Sequence, residues 1–277
     1  MKGYFEGWYF KHQANGKSLA LIPGRAKDTA FIHVVTEHKA EYIPFPLSAF
    51  QKGKDYISIG ENRFSQAGVK LDICTGEFSI KGQIAYSNLS TIRGDIMGPF
   101  QFFPMECRHG IISMNHALDG ALTLNGEHYD FQGGRGYIES DSGRSFPEQY
   151  TWIHCNHFAN DCSIMAAIAK IPFYGLKFMG IICVVWLNGR EYRLATYNGA
   201  KILCCKPGVI ELKRGKFYLS IKVDKDGGHM LPAPRFGAMD YFIRENLSCS
   251  AQFRFSKGNT VLFDEKSNCA SYECELG

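Results

Sequence analysis

Apolar and polar residues alternate along this chain over many short stretches, and no stretch sustains the period of a long amphipathic helix. The alternating or β-branched runs include 18–22, 30–36, 55–59, 68–73 and 77–86, with 162–171, 180–187, 190–197, 208–213, 216–223 and 250–255 in the second half. Gly, Asn and Asp separate them. Asn125-Gly126, Asn188-Gly189 and Asp226-Gly227 are the dipeptides that two-residue hairpin turns favour, because Asn and Gly tolerate positive φ. The pattern predicts an all-β chain, mostly antiparallel, with one or two short helices, for instance over 237–246.

The runs also rhyme. Trp8 precedes Ala14-Asn15 and Ser18-Leu19-Ala20, and Trp152 precedes Ala159-Asn160 and Ser163-Ile164-Met165-Ala166. Phe31 to Val35 then Glu41-Tyr42 matches Ile181 to Val185 then Glu191-Tyr192 at one constant offset. Tyr137-Ile138-Glu139 has a counterpart in Ser271-Tyr272-Glu273. The common order predicts a duplicated β-module, 1–146 and 147–277. Each would hold about seven to nine strands, enough to close a small barrel around one ligand.

Composition narrows the class. The chain has 277 residues, a net charge of +4, 21 Phe and 14 Tyr. The charge is scattered, which excludes the concentrated basic footprint of a nucleic-acid binder. No signal-like segment opens the chain and no apolar run reaches membrane-spanning length, so a cytoplasmic protein is expected. Ten cysteines without such a segment read as free thiols. His154 and Cys155 would point to opposite faces of a strand, so no metal site is expected there. Walker loops, dinucleotide fingerprints and Gly-x-Ser-x-Gly elbows are lacking.

Four stretches carry a family resemblance. They are Gly3-Tyr4-Phe5-Glu6-Gly7-Trp8-Tyr9-Phe10-Lys11; Gly98-Pro99-Phe100 with Met105-Glu106-Cys107-Arg108-His109-Gly110 and Met114-Asn115-His116; Gly136-Tyr137-Ile138-Glu139-Ser140-Asp141-Ser142-Gly143 with Phe146-Pro147, Tyr150, Trp152 and Asn156; and Leu231-Pro232-Ala233-Pro234 with Gly237, Met239 and Glu245. Together they resemble the tocopherol cyclase family along nearly the whole chain. The resemblance implies two tandem lipocalin-like β-barrel or sandwich modules. It also implies acid-initiated cyclisation, or hydration, of a prenylated quinol or another isoprenoid-like substrate, without a redox cofactor. The insertions of the plant enzymes are lacking here.

Such chemistry needs a protonated carboxyl in an apolar cavity, with aromatic faces to stabilise a cation. Strand alternation puts Tyr4, Glu6, Trp8 and Phe10 on one face and Phe5, Tyr9 and Lys11 on the other. Tyr137, Glu139 and Asp141 share a face, as do Tyr150, Trp152, His154 and Asn156. The candidate acids are therefore Glu6, Glu139 and Asp141; Tyr4, Trp8, His116, Tyr137, Tyr150, Trp152 and Asn156 would contact substrate. Glu6 reads equally as a structural corner, and His109 and His116 as satisfied histidines. A non-catalytic binder of a hydrophobic small molecule is the alternative, and a module with filled barrels the third. A peripheral membrane contact would collect such a ligand; the oligomeric state is not legible.

Overall fold

A computed structural model gives residues 3–173, 175–224 and 227–276. The first sheet begins with β1 (Phe5–Ala14), β2 (Lys17–Ala26), β3 (Thr29–Thr36) and β4 (Ala40–Pro46). Five further strands follow: β5 (Phe50–Lys52), β6 (Tyr56–Ile59), β7 (Asn62–Ser65), β8 (Gly68–Thr75) and β9 (Phe78–Ser87). It closes its sequence with β10 (Cys107–Leu124), β11 (Glu127–Asp130) and β12 (Arg135–Gly143). The second sheet holds β13 (Tyr150–Cys155), β14 (Cys162–Phe173), β15 (Leu176–Leu187), β16 (Arg190–Arg193) and β17 (Lys201–Lys206). It continues with β18 (Val209–Arg214), β19 (Phe217–Val223), β20 (His229–Arg235), β21 (Ala238–Lys257) and β22 (Thr260–Glu275).

The two sheets are wound alike. The first runs β4-β3-β2-β1-β12-β10-β9-β8-β7-β6-β5, and the second runs β16-β15-β14-β13-β22-β21-β19-β18-β17. The all-β antiparallel class holds. Barrel closure does not: among the described residues the terminal strands of each path, β4 and β5 or β16 and β17, are not paired with each other. The predicted helix over 237–246 is also overturned, because those residues start β21. Met239, Tyr241, Ile243, Glu245 and Leu247 turn to the less exposed side at alternate positions, a two-residue period that belongs to a strand.

Local chemistry explains the hairpins. Asn125 and Gly126 take φ of 49° and 83°, and Asn188 and Gly189 take 50° and 71°, as a type I′ turn requires. Asp226 of the third expected turn lies outside the described residues. The repeat needs one adjustment of register. Tyr9 pairs with Glu139 as Trp152 pairs with Glu273, so the counterpart of Trp152 is Tyr9. Trp8 faces the other way and stacks on Phe50 with ring centroids 6.3 Å apart.

Each sheet curls around its own apolar core. Phe10, Leu21, Ile32, Phe64 and Ile80 fill the first, and Ile153, Ile164, Val185, Leu219 and Phe253 fill the second. A third cluster, with Tyr9, Met114, Tyr137, Tyr150, Trp152 and Leu231, joins the two sheets along a seam. Each half also sends an arm across it. Arg193 donates to the carbonyls of Asp95 and Arg93 at 2.7 Å each, fastening the 88–106 arm. The β20–β21 ribbon reaches back to the first sheet, where Gly237 N–H donates to Arg144 O at 2.7 Å. Only glycine fits there: φ is +78°, and a Cβ would lie 2.4 Å from the Gly3 backbone. Among the described residues, no helix is long and apolar enough to cross a membrane.

Candidate active site at the seam

The seam encloses a cavity of about 190 Å³ whose walls come from both sheets and both arms. Neither sheet holds it alone, so a ligand enclosed by one closed barrel gives way to a cavity between two open, curled sheets. Phe5, Ile22, Phe31, Ile182, Ala233 and Ile243 contribute apolar wall. Against them stand four carboxylates, Glu139, Asp141, Glu245 and Glu273, with His109.

The first-sheet acids are compensated. Tyr137 Oη donates to Glu139 Oε2 at 2.5 Å, and Trp152 Nε1 donates to the same oxygen at 3.1 Å. His109 Nε2 lies 3.3 Å from that oxygen, close enough to pair by charge although it is not aligned as a hydrogen bond. On its other side, His109 Nδ1 meets Asp141 Oδ1 at 3.0 Å. Burial pushes the His109 pKa down, but Glu139 and Asp141 together outweigh burial and hold it well above the usual histidine range. Cys107 Sγ adds a weak donor to Asp141 at 3.6 Å. Among the described residues, His109, Glu139 and Asp141 form the one group whose donor atoms converge as metal ligands would, all within 4.8 Å of one another.

The second-sheet acids are crowded. Glu245 and Glu273 sit directly opposite each other on β21 and β22. Glu245 is fully buried. Tyr9 Oη donates to its Oε1 at 2.6 Å, and its Oε2 has no partner. Burial drives its pKa up to about 7, with Glu139 adding and Tyr9 and Lys11 opposing. Tyr150 Oη donates to Glu273 Oε2 at 2.7 Å. Burial first, then the charge of Glu245, holds the Glu273 carboxyl well above the ordinary range. Two adjacent carboxyls in an apolar wall bind protons as a pair.

Of the residues singled out from the sequence, Glu139, Asp141, Tyr150 and Trp152 meet at the cavity, and Tyr137 supports them from behind, stacked on His154 at 3.6 Å. Trp8 borders the cavity, but its ring packs away on Phe50. Glu6 is placed elsewhere. Its two oxygens pair with Arg25 at 2.7 Å and Lys52 at 2.5 Å, and it is not among the lining residues. Tyr4 lies beside Arg25, with the guanidinium 5.9 Å from its ring. His116 packs against Tyr86 in the first sheet, and burial lowers its pKa to about 3. Asn156 ties Asn115 Oδ1 to the Gly136 carbonyl, away from the cavity. Glu245, Glu273 and Tyr9 were not singled out as site residues. Glu245 stands in the fourth family-like stretch and Glu273 is the repeat counterpart of Glu139, so both signals were present without a proton-donor role attached.

Comparison with known proteins agrees with this architecture. The family described as tocopherol cyclase-like matches residues 51–276. No curated protein sequence matches the chain. Kievitone hydratase from Nectria haematococca is similar in structure, with a TM-score of 0.54 at 11% identity over 99% of this chain and 90% of that one. CghA with Sch210972 gives a TM-score of 0.60 at 10% identity, over 99% and 89%. A Nitrosomonas europaea protein named after AttH gives 0.59 at 11%, over 99% and 93%. At these identities the likeness establishes a common fold.

Proposed function

Because the chain belongs to the tocopherol cyclase-like family, we propose that it is a cyclase- or hydratase-type catalyst whose acid is Glu245. The substrate is an isoprenoid-like hydrophobic molecule, a prenylated quinol being the form that the family suggests. The observation that carries this reading is the unpartnered Oε2 of a fully buried Glu245 at the wall of an apolar cavity.

In the proposed reaction Glu245 gives its proton to an alkene carbon, and a C–H bond forms as the π bond breaks. The tertiary cation lies among Tyr9, Trp152 and the carboxylates, where aromatic faces contribute about 0.5–2 kcal/mol each. A substrate hydroxyl closes a ring on the cation, or water adds to it; either way a C–O bond forms. The oxygen then returns its proton to the Glu245 carboxylate, so the step needs no electron carrier. Tyr9 holds Oε1 and leaves Oε2 free for the transfer. His109 with Glu139 and Asp141 forms the opposite, ion-paired wall, suited to orient a polar head group.

The modules 1–146 and 147–277 are the proposed units of duplication, with the site at their junction. The ten unpaired thiols fit a reducing compartment, and the cytoplasm is the proposed location. Incubation with a prenylated quinol, followed by mass spectrometry and chromatography of the extract, tests the catalyst. A cyclised isomer, or a product heavier by one water, is expected. Unchanged quinol bound to the protein after long incubation would make it a carrier instead.

A further inference from the structure

We infer that the rim of the seam cavity is a membrane-docking surface, with Phe102 and Leu176 as the side chains that enter the lipid. The inference rests on the proposed reading that the cavity takes a hydrophobic substrate, since such a molecule resides in a bilayer and must leave it to reach the acids. Phe102 is 81% exposed and Leu176 75% exposed, the two largest values among the exposed large apolar residues described. They belong to different elements that meet at one place. Phe102 ends the single turn Gly98–Phe102 of the first-sheet arm, and Leu176 pairs with Phe173 at the tip of the β14–β15 hairpin.

An aromatic path runs to the cavity from their neighbours, Phe103 next to Phe102 in the chain and Phe173 across the hairpin from Leu176. Phe103 packs edge-on against Phe173 at 5.4 Å, Phe173 against Phe100 at 5.8 Å, and Phe100 lies 6.1 Å from Phe178. Phe100 and Phe178 themselves line the cavity. An exposed apolar rim continuous with an apolar interior gives a lipid chain a dry route inward, which a scattering of single exposed residues would not. The mouth narrows the choice of occupant. On the Phe100–Phe103 side Arg108 donates to the Phe103 carbonyl at 3.3 Å, and Lys177 and Arg144, with Glu148, act by charge on Glu106. Glu148 is shared by Lys170 and Lys177 at 3.7 and 3.2 Å. A second copy docked face to face would set this basic excess against itself, whereas an anionic bilayer attracts it while the aromatic tips sit at headgroup depth.

Flotation of the full chain with vesicles of phosphatidylcholine containing phosphatidylglycerol tests the surface. Phe102→Ser with Leu176→Ser touches only exposed side chains, and Leu203→Ser, at another exposed apolar site on β17, serves as control. The unaltered chain should float. The rim double variant should lose about tenfold or more of its partitioning, and the control should lose none. Failure of the unaltered chain to float, or a rim variant that floats as well as it does, would overturn the inference. So would a rim variant that merely turns a dimer into a monomer on gel filtration, which would assign the face to a second copy. Quenching of tryptophan fluorescence by a short-chain, water-soluble prenylated quinol is read in parallel. Rim-dependent flotation without any quenching would support the docking surface and reject the cavity reading; quenching retained in the rim variant supports both.

Discussion

Glu139 and Glu273 occupy equivalent places in two sheets wound alike, yet their chemistry is opposite. Glu139 sits across from Tyr9 on β1 and Ile111 on β10; Glu273 sits across from Trp152 on β13 and Glu245 on β21. In the first sheet the acid carries an imidazolium beside it, and in the second it carries another acid. The swap is made by two positions on one strand: β10 has His109 and Ile111 where β21 has Ile243 and Glu245. Backbone geometry is therefore common, and the cross-strand neighbour decides which wall is ion-paired and which holds a proton. Two sheets of like winding thus bring an ion-paired wall and a proton-holding wall to one cavity.

The largest expected effect of disturbing that contrast comes from Glu245→Gln. It keeps size and buries no charge, so folding should survive while turnover falls about 10²–10⁴-fold, the range for losing a general acid; single-turnover assays with a prenylated quinol check it. Stability against pH comes next. The carboxyl is raised in the folded chain, so its stabilising share is complete below its unfolded pKa near 4.3 and is lost as pH rises through about 7. Denaturant titrations from pH 4 to pH 8 should show a loss of about a few kcal/mol, at about 1.4 kcal/mol per pKa unit, that shrinks in Glu245→Gln to the share of the buried Glu273 carboxyl.

His109→Gln sharpens the contrast from the other wall. Removing the cation that faces Glu139 leaves more uncompensated negative charge near Glu245, so the alkaline limb of activity should move up by about one pH unit. An unmoved limb would dissociate the two walls. The smallest effect on activity is expected for Glu6→Gln. Its partners Arg25 and Lys52 are partly exposed but its own carboxylate is buried, so stability should fall by about 1.5–3 kcal/mol with turnover per folded molecule unchanged. A collapse of turnover instead would return the donor role to Glu6.

Much of this was readable from residue order. Alternation gave the strands and Asn-Gly the tight turns. The face on which Glu139 lies followed from the same two-residue period. What stayed hidden depends on pairings between distant residues. Nothing near Glu6 announces that Lys52, 46 positions away, will neutralise it. Glu245 looked helical within its polar stretch, and its acidity arises only when β22 brings Glu273 opposite. Closure of the sheets likewise depends on the pairing of end strands, which strand count alone does not decide.

The most direct test is infrared difference spectroscopy of the carbonyl stretch of protonated carboxyl groups, titrated with pH in the unaltered chain and in Glu245→Gln. Near neutral pH the unaltered chain should show a protonated-carboxyl band that disappears as the solution becomes alkaline and is diminished in the variant. A spectrum with no such band at pH 6, or one that the substitution leaves untouched, would contradict a buried, proton-bearing Glu245.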